Sequence, residues 1–380
     1  MTTPVPFSRR GACPALQSPM ATGDGLLARL GPPRPPTPEG IKALCAQARK
    51  HGNGVIEVTQ RGNLQARGLS EASAPMFAEE AIARGLAQGD GLPVLVDPLA
   101  GENTRALARA IRDGARGLVL APKMSVIVDT GTILHLDGLV ADVRLRAEGN
   151  RWHLGVGRTW LGLVDDPVAA VLEHLRAIAA VGPGARGRDM NYTAATPPPA
   201  RPRAEPVGVH GDVVGVGLPF GAISADALEA LADGCGARAM IAAAPYALLL
   251  VGAAPGVREL AAGLGFITEA DDPRRFVIPC AGAPACASAF WPARQRAAEV
   301  ATACAGLVGP DLIVHLSGCG KGCAYPWTAP VVVVGDAEGL GIVVNGKAGD
   351  APTSRVADPG MLGHTLSRLA ADIRTNKALP

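Results

Sequence analysis

Four cysteines in two close pairs are the residues of this sequence best suited to chemistry. Cys280 and Cys286 are separated by five residues, and Cys319 and Cys323 by three. Both stretches are rich in glycine and proline, so the backbone can make sharp bends of fixed shape there. A cubane iron–sulfur cluster needs four thiolates brought together from short loops of this kind. The spacing therefore favours a cluster held by Cys280, Cys286, Cys319 and Cys323.

Two other interpretations of these cysteines remain open at this point. Structural zinc sites use cysteine pairs separated by two to four residues, and the five-residue gap after Cys280 is poor for that geometry. Free cysteines are also often buried as small apolar side chains. That role, as part of helix packing, is expected for Cys45, Cys235 and Cys304, whereas the role of Cys13 is undecided.

The cysteine motif resembles the signature of the sulfite and nitrite reductase haemoproteins. In residues 280–286 and 315–326 a C-x5-C pair is followed by H-x-S-G-C-x3-C. The run S-G-C-G-K-G-C-A-Y-P at 317–326 and the opening residues 9–25 resemble, within that superfamily, the precorrin-3B synthase family. The resemblance covers residues from about 9 to about 370. It implies a [4Fe–4S] cluster on the four cysteines, and in sirohaem-binding members the counterpart of Cys323 also bridges to the haem iron.

The precorrin-3B synthase resemblance implies a monooxygenase of aerobic cobalamin biosynthesis. Such an enzyme hydroxylates precorrin-3A with O2 while a γ-lactone forms. Its electrons come from an external donor, expected to be an NADH-linked reductase because no nucleotide-binding motif follows a strand in the sequence.

The resemblance also implies a mononuclear non-haem iron. No pair among the seven histidines has metal-ligand spacing, so the ligands of that iron and the catalytic residues are not assigned. His135 and Asp137 are close in sequence and are expected at a solvated strand end. His315 is the motif histidine, for which a hydrogen bond to the cysteine loop and metal ligation are both open.

Tetrapyrroles carry carboxylates, with which arginine and lysine pair. Residues 58–65 resemble the family's T-x-R-Q-x-x-Q strand end, which implies that Arg61 and Gln65 contact the macrocycle. Residues 120–125 resemble its L-P-R-K-F-K strand, which implies a basic contact from Lys123. Lys321 lies between two of the cysteines, where it either binds a substrate carboxylate, raises the potential of the cluster or is simply solvated.

Several anchors of sirohaem are missing from the sequence. Ser125 stands where the family has a second lysine, residues 91–94 replace R-N-V, and residues 244–248 replace T-P-N-Q-N. These departures favour a tetrapyrrole substrate over sirohaem as a prosthetic group. The alternative is a sirohaem-dependent sulfite or nitrite reductase, and a further alternative is an iron–sulfur electron carrier.

The predicted elements indicate an α+β fold built from two similar halves. Strands at 25–30 and 55–59 flank a helix that begins at Pro38 with Thr37 as its cap. A strand at 212–217, a helix at 225–232 and strands at 240–244 and 248–251 repeat this plan about 190 residues later. The resemblance implies two pseudo-repeated halves of the nitrite/sulfite reductase type, each with a ferredoxin-like half-domain and a larger α+β domain.

We predict the following organisation from these signals. The first repeat is residues 1–193 (half-domain about 16–85, reductase-type domain about 90–190), a proline-rich linker is 194–206, and the second repeat is 207–380. Further elements are predicted as strands at 117–120 and 126–129, helices at 165–178, 288–305 and 359–376, and a hairpin at 330–344. The helix at 288–305 would place Cys286 at a helix N-terminus, where the dipole favours a thiolate.

Composition narrows the functional class. The chain has 380 residues, of which 48% are hydrophobic and 18% charged, as in globular proteins with a buried core. A net charge of +2 gives no reason to expect nucleic acid or a membrane as a partner. Eight cysteines without a secretory signal suggest metal binding in a reducing compartment, and we expect a cytoplasmic protein.

Overall fold

The computed structural model describes residues 14–375, so Cys13 and the start of the 9–25 motif lie outside the described residues. The helices of the described chain are α1 (Pro38–His51), α2 (Ser73–Ala83), α3 (Glu102–Gly114), α4 (Pro167–Val181), α5 (Ala225–Gly234), α6 (Val257–Gly263), α7 (Ala297–Ala303) and α8 (Leu362–Arg374). Its strands are β1 (Met20–Thr22), β2 (Gly25–Leu30), β3 (Val55–Val58), β4 (Leu64–Leu69), β5 (Val94–Val96), β6 (Val126–Asp129), β7 (Val143–Glu148), β8 (Arg151–Val156), β9 (Thr159–Val164), β10 (Gly208–His210), β11 (Val213–Gly217), β12 (Ala222–Ser224), β13 (Ala239–Ala243), β14 (Ala247–Val251), β15 (Val277–Pro279), β16 (Val314–Ser317), β17 (Ala329–Asp336), β18 (Gly339–Gly346) and β19 (Ser354–Arg355).

The chain divides into two compact units. The first unit contains the described residues up to 20, residues 31–35 and residues 81–205, and the second contains residues 21–30, 36–80 and 206–375. Compact units and sequence repeats are different divisions of a chain, so the predicted repeats and linker stay predictions.

The first unit is built on one five-stranded sheet, in the order β5-β6-β7-β8-β9. Strands β5, β6 and β7 are parallel, and β7, β8 and β9 are antiparallel. Helices α3 and α4 bury their apolar sides, including Ile111 and Leu175, in one core with Val126 and Leu145 of the sheet. The helix predicted at 165–178 is formed by α4 and is capped by an aspartate, since Asp166 accepts a hydrogen bond from the Ala169 N–H. The strand predicted at 117–120 is wrong, because these residues form a turn and loop after α3.

The two predicted half-domains are interlocked within the second unit. One sheet has the order β1-β2-β4-β3-β12, so β12 from the later half completes the sheet of the earlier half. The other sheet has the order β10-β11-β14-β13. The helices of the two half-domains, α1 and α5, pack together and are linked by an ion pair between Lys42 and Asp233. Thr37 caps α1 as predicted, because its hydroxyl accepts from the Gly40 N–H.

The third sheet of the second unit carries the cysteine motif. Its order is β15-β16-β17-β18-β19, with β15, β16 and β17 parallel and the predicted hairpin formed by β17 and β18. Helices α7 and α8 pack on one face of it through an apolar core that includes Val314, Leu316 and Leu366.

The helix predicted at 288–305 is wrong in length, since α7 covers only Ala297–Ala303. Pro292 has no N–H to donate to a helix, and the indole of Trp291 points inward to bond the Ser317 carbonyl instead. Cys286 is therefore not at a helix N-terminus. The expected packing role of the other three cysteines is confirmed, because Cys45, Cys235 and Cys304 are fully buried.

In the part of the chain that the structure describes, none of the helices is both long enough and apolar enough to cross a bilayer.

Candidate metal centre

The topology of the third sheet brings the two cysteine loops together. Cys280 directly follows β15, and Cys319 follows β16 after one glycine. Because β15 and β16 are adjacent parallel strands, both loops leave the same edge of the sheet. The Cys280 N–H donates to the Leu316 carbonyl at 2.9 Å, which continues the strand pairing to the first cysteine.

The four thiols form one electrostatic group. Burial raises the pKa of Cys280, the backbone N–H groups of Gly318 and Gly282 lower it, and the thiols of Cys286 and Cys319 raise it further. Partial burial likewise raises the pKa of Cys323, together with Cys319 and Cys286. The thiolates of Cys280 and Cys323 are thus disfavoured by burial and by the neighbouring thiols, and a bound cation would reverse that preference.

Tight glycine packing shapes both loops. Gly282 has a φ of +68°, and a Cβ there would lie 2.4 Å from the Ala293 nitrogen. A Cβ on Gly318 would lie 2.6 Å from Ala289 Cβ and 3.3 Å from Cys280 Sγ. The Gly318 N–H donates to that sulfur at 3.0 Å. Glycine at these positions lets the two loops approach closely enough to bring the four thiols together.

The spacing of the sulfurs is wide for a single zinc ion. Tetrahedral zinc with Zn–S bonds of about 2.3 Å requires sulfurs about 3.8 Å apart. Among the residues that the structure describes, no three of the four sulfurs lie within 4.8 Å of one another. The arrangement fits a larger group with four thiolate corners better than one ion.

Polar contacts fix the second loop against the first. The indole N–H of Trp291 donates to the Ser317 carbonyl at 2.7 Å, and the Ser317 hydroxyl donates to the Cys319 carbonyl at 2.7 Å. The exposed Lys321 donates through Nζ to the Ser288 hydroxyl at 3.0 Å. This contact links the segment between Cys319 and Cys323 to the residues that follow Cys286.

His315 is fully buried beneath the second loop. His315 is part of β16, and the centroid of its ring lies 6.0 Å from that of the Tyr325 ring. A Cβ added to Gly322 would lie 3.7 Å from His315 Cε1. Neither ring nitrogen has a hydrogen-bond partner, so the bond to the loop that the sequence left open is not formed. Burial lowers the pKa of His315 to about 4, which keeps the imidazole neutral at neutral pH.

Comparison with known proteins identifies the family. A curated relative from a Sinorhizobium species, named precorrin-3B synthase, is 37% identical over an alignment 417 positions long, which covers 98% of this chain and 91% of the relative. The chain belongs to the precorrin-3B synthase family.

Two further comparisons agree on the fold of this precorrin-3B synthase family member. The family profile of the nitrite/sulfite reductase ferredoxin-like half domain matches residues 18–84. The solved structure of the NirA protein of Mycobacterium tuberculosis aligns with a TM-score of 0.69 over 93% of this chain and 81% of NirA, at 18% identity. The predicted α+β fold of the nitrite/sulfite reductase type and the assignment to an enzyme family are confirmed.

The four residues predicted from the resemblance to bind tetrapyrrole lie in different units. Arg61 is exposed in the turn after β3, where its N–H donates to the Thr59 hydroxyl. Gln65 is buried on β4, and Lys321 lies beside the cysteines. Lys123 is exposed in the first unit. Their roles stay predictions.

The first unit contains a cavity of about 540 Å³ next to Lys123. Its walls are the loop 88–93, the end of α3 with the turn after it, and residues 120–124 except Lys123 itself. Apolar side chains such as Leu92, Leu118 and Met124 line it together with two arginines, Arg112 and Arg116. The sequence did not reveal this cavity.

The sequence also did not reveal a group of two buried and two half-buried charged residues beside the first cysteine loop. This group consists of Asp24, Glu57, Arg67 and Arg294, all in the second unit. A charged residue inside each of two short, mostly apolar strands could have indicated this group: Glu57 in V-I-E-V and Arg67 in L-Q-A-R-G-L.

Asp129, His135 and Asp137 form a compact group in the first unit, with ligand atoms within 4.8 Å of one another. The expected solvated strand end is wrong, because His135 is only 3% exposed. Arg201 Nη2 lies 3.1 Å from Asp129 Oδ2 and 3.0 Å from Asp137 Oδ1. A guanidinium therefore already occupies the space between the carboxylates, and these residues do not fit the mononuclear iron that the family implies.

Proposed function

We propose that the protein catalyses the precorrin-3B synthase reaction, the O2-dependent hydroxylation of precorrin-3A with γ-lactone formation in aerobic cobalamin biosynthesis. The observation that carries the proposal is the convergence of four thiols from two loops at one sheet edge, in a chain 37% identical to a precorrin-3B synthase. A monooxygenation inserts one oxygen atom of O2 into the substrate. The other atom leaves as water with two protons and two electrons, which an external donor, proposed to be an NADH-linked reductase, supplies.

Cys280, Cys286, Cys319 and Cys323 would hold a [4Fe–4S] cluster. The thiol donor set, the wide sulfur spacing and the tight glycine packing fit this group. When bound, the cluster supplies one-electron transfer. The chain's own contribution is a hydrogen bond from the Gly318 N–H to Cys280 Sγ and the positive charge of Lys321 between two ligands, both of which favour the more negative, reduced state.

The tetrapyrrole would be recognised by apolar surface together with basic groups. Arg61, Lys123 and Lys321 are exposed, as groups that pair with substrate carboxylates must be, and Gln65 offers a neutral donor. The cavity beside Lys123 combines apolar walls with arginine, and its volume is typical of small-molecule sites. The Asp129, His135 and Asp137 group does not fit a mononuclear iron, because the Arg201 guanidinium lies between its carboxylates.

The test is conversion of precorrin-3A under 18O2 by the reconstituted protein with an NADH-linked reductase. We expect a product that is heavier by one 18O atom and no product under argon. Replacing Arg61 by Ala should raise KM by about tenfold or more, as expected for loss of a charged hydrogen bond. The matched control is Lys42→Ala, which removes a half-buried cation of the same half-domain that pairs with Asp233.

The NirA-like fold favours a sirohaem-dependent sulfite or nitrite reductase as the second candidate. The same preparation is therefore assayed with reduced methyl viologen and sulfite or nitrite. Reduction of either anion, together with failure to oxidise precorrin-3A, would replace the proposed function by this alternative.

A further inference from the structure

Arg67 is the centre of the charged group beside the first cysteine loop. It lies on β4, where only 5% of its surface is exposed. Its guanidinium binds Asp24 through two contacts, Nε to Oδ2 at 3.0 Å and Nη2 to Oδ1 at 2.7 Å. Its Nη1 lies 3.4 Å from Oε1 of Glu57, a buried carboxylate on the neighbouring strand β3. Two carboxylates from two other parts of the half-domain thus fix this side chain.

A further N–H of the Arg67 guanidinium points at the cysteine loop. Nη2 donates to the carbonyl of Ala285, the residue before Cys286, at 3.2 Å. The same carbonyl accepts from the Gly23 N–H at 2.9 Å. Gly23 has no room for a side chain, since a Cβ there would lie 2.1 Å from the Pro284 carbonyl oxygen. The loop is therefore seated directly on the β1–β2 turn.

A second tie reaches the chain after Cys286. Arg294 binds the Glu57 carboxylate through Nη1, and Glu57 is shared with Arg67. Positions on both sides of Cys286, Ala285 before it and Arg294 after it, are thus held by the same pair of charged residues. Breaking one of these pairs is costly, because it leaves a charge in the protein interior without its partner.

We propose that Arg67 is a positioning residue of the metal centre: it holds the Ala285 carbonyl and so fixes where the Cys286 thiol stands relative to the other three. Nothing in the cysteine motif itself supplies this function, and the residue lies more than 200 positions away in the sequence. The inference rests on the proposed function only in that the four thiols hold a metal cluster.

The experiment compares the full-length wild type with Arg67→Met in two measurements. First, alkylation rates of Cys286 and Cys323 in the metal-free protein are measured by mass spectrometry with iodoacetamide. We expect Cys286 to react about tenfold faster in the variant while Cys323 is unchanged, since about one charged hydrogen bond to the loop is lost. Second, iron loss to a chelator after anaerobic reconstitution should be faster by a similar factor. Arg67→Lys should fall between the two, because an ammonium keeps the charge without the planar fork.

The matched control is Arg49→Met. Arg49 also binds two carboxylates, Asp226 at 2.9 Å and Glu229 at 2.6 Å, but on the surface between α1 and α5. The Arg49→Met variant should leave the alkylation rate of Cys286 and the rate of iron loss unchanged. Gly23→Ala displaces the same loop without altering any charge, so it decides the question if Arg67→Met fails to fold by circular dichroism.

Wild-type rates in Arg67→Met, or in a folded Gly23→Ala when Arg67→Met is unfolded, would overturn the proposal. Failure of the proposed function gives a different result: the precorrin-3A assay under 18O2 then shows no labelled product, while the alkylation and iron-loss rates still report on the loop. If the cysteines hold no cluster at all, the wild type itself takes up no iron and sulfide, and the alkylation rates alone report on the loop.

Discussion

The buried histidine beneath the cysteine loop predicts how stability changes with pH. The pKa of His315 is lowered to about 4 in the folded chain by burial, against about 6.5 when unfolded. As the pH falls, the unfolded chain binds the proton first, so the stabilisation is complete above about pH 6.5 and is lost on the way down to about pH 4. Between pH 7.5 and pH 5 this amounts to about 2 kcal/mol.

The perturbation is His315→Leu, which places an apolar side chain against the apolar face containing Val332 and Ala348. Urea unfolding of the metal-free protein is followed at pH 7.5 and pH 5 for both chains. The wild type should lose about 2 kcal/mol more stability than the variant over this interval, because all other titrating groups are shared. His364→Leu, at an exposed position of α8, controls for removal of a histidine. Equal losses in wild type and His315→Leu would refute the reasoning.

Three further predictions concern the same loops. Gly282→Ala should abolish iron uptake, because its Cβ would meet a backbone nitrogen at 2.4 Å at a φ of +68°, whereas Gly306→Ala, at a φ of +73° in open space, should retain iron and lose only about 1–2 kcal/mol in urea unfolding. Trp291→Phe should lower the free energy of unfolding by about 1–3 kcal/mol by leaving a buried loop carbonyl without its donor, and unchanged urea midpoints would disprove this. Cys304→Ala should keep the full iron and sulfide content because Cys304 is packed in the core, whereas Cys280→Ala should lose both. Iron loss in both variants would contradict the assignment of Cys304 to packing and of Cys280 to metal binding.

The sequence was most informative where chemistry depends on residue type and short spacing. Two cysteine pairs on glycine-rich loops were enough to predict one centre. The structure adds the strands β15 and β16, whose parallel pairing brings the loops together. Helix starts were also readable, because Thr37 and Asp166 cap their helices through their own side chains. Such signals are local, so one sequence contains them in full.

Contacts between residues that are far apart in the chain could not be predicted from the sequence in this way. Arg67 and Ala285 are far apart in the chain, and only the folded structure shows that one donates to the other. The prediction of a helix directly after Cys286 was wrong because a hydrogen bond from Trp291 to the distant Ser317 holds that segment in an irregular conformation. Arg201 likewise binds between Asp129 and Asp137, which sequence spacing could not reveal.

The central claim is that the four cysteines hold a [4Fe–4S] cluster in an oxygenase rather than in a sirohaem reductase. The most direct test is an anaerobic absorption spectrum combined with iron, sulfide and extracted-pigment analysis of one sample. We predict a broad iron–sulfur absorption, at least about four iron and four sulfide per chain, and no extractable tetrapyrrole. Sharp Soret and red bands with extractable sirohaem, or bound zinc without sulfide, would contradict it.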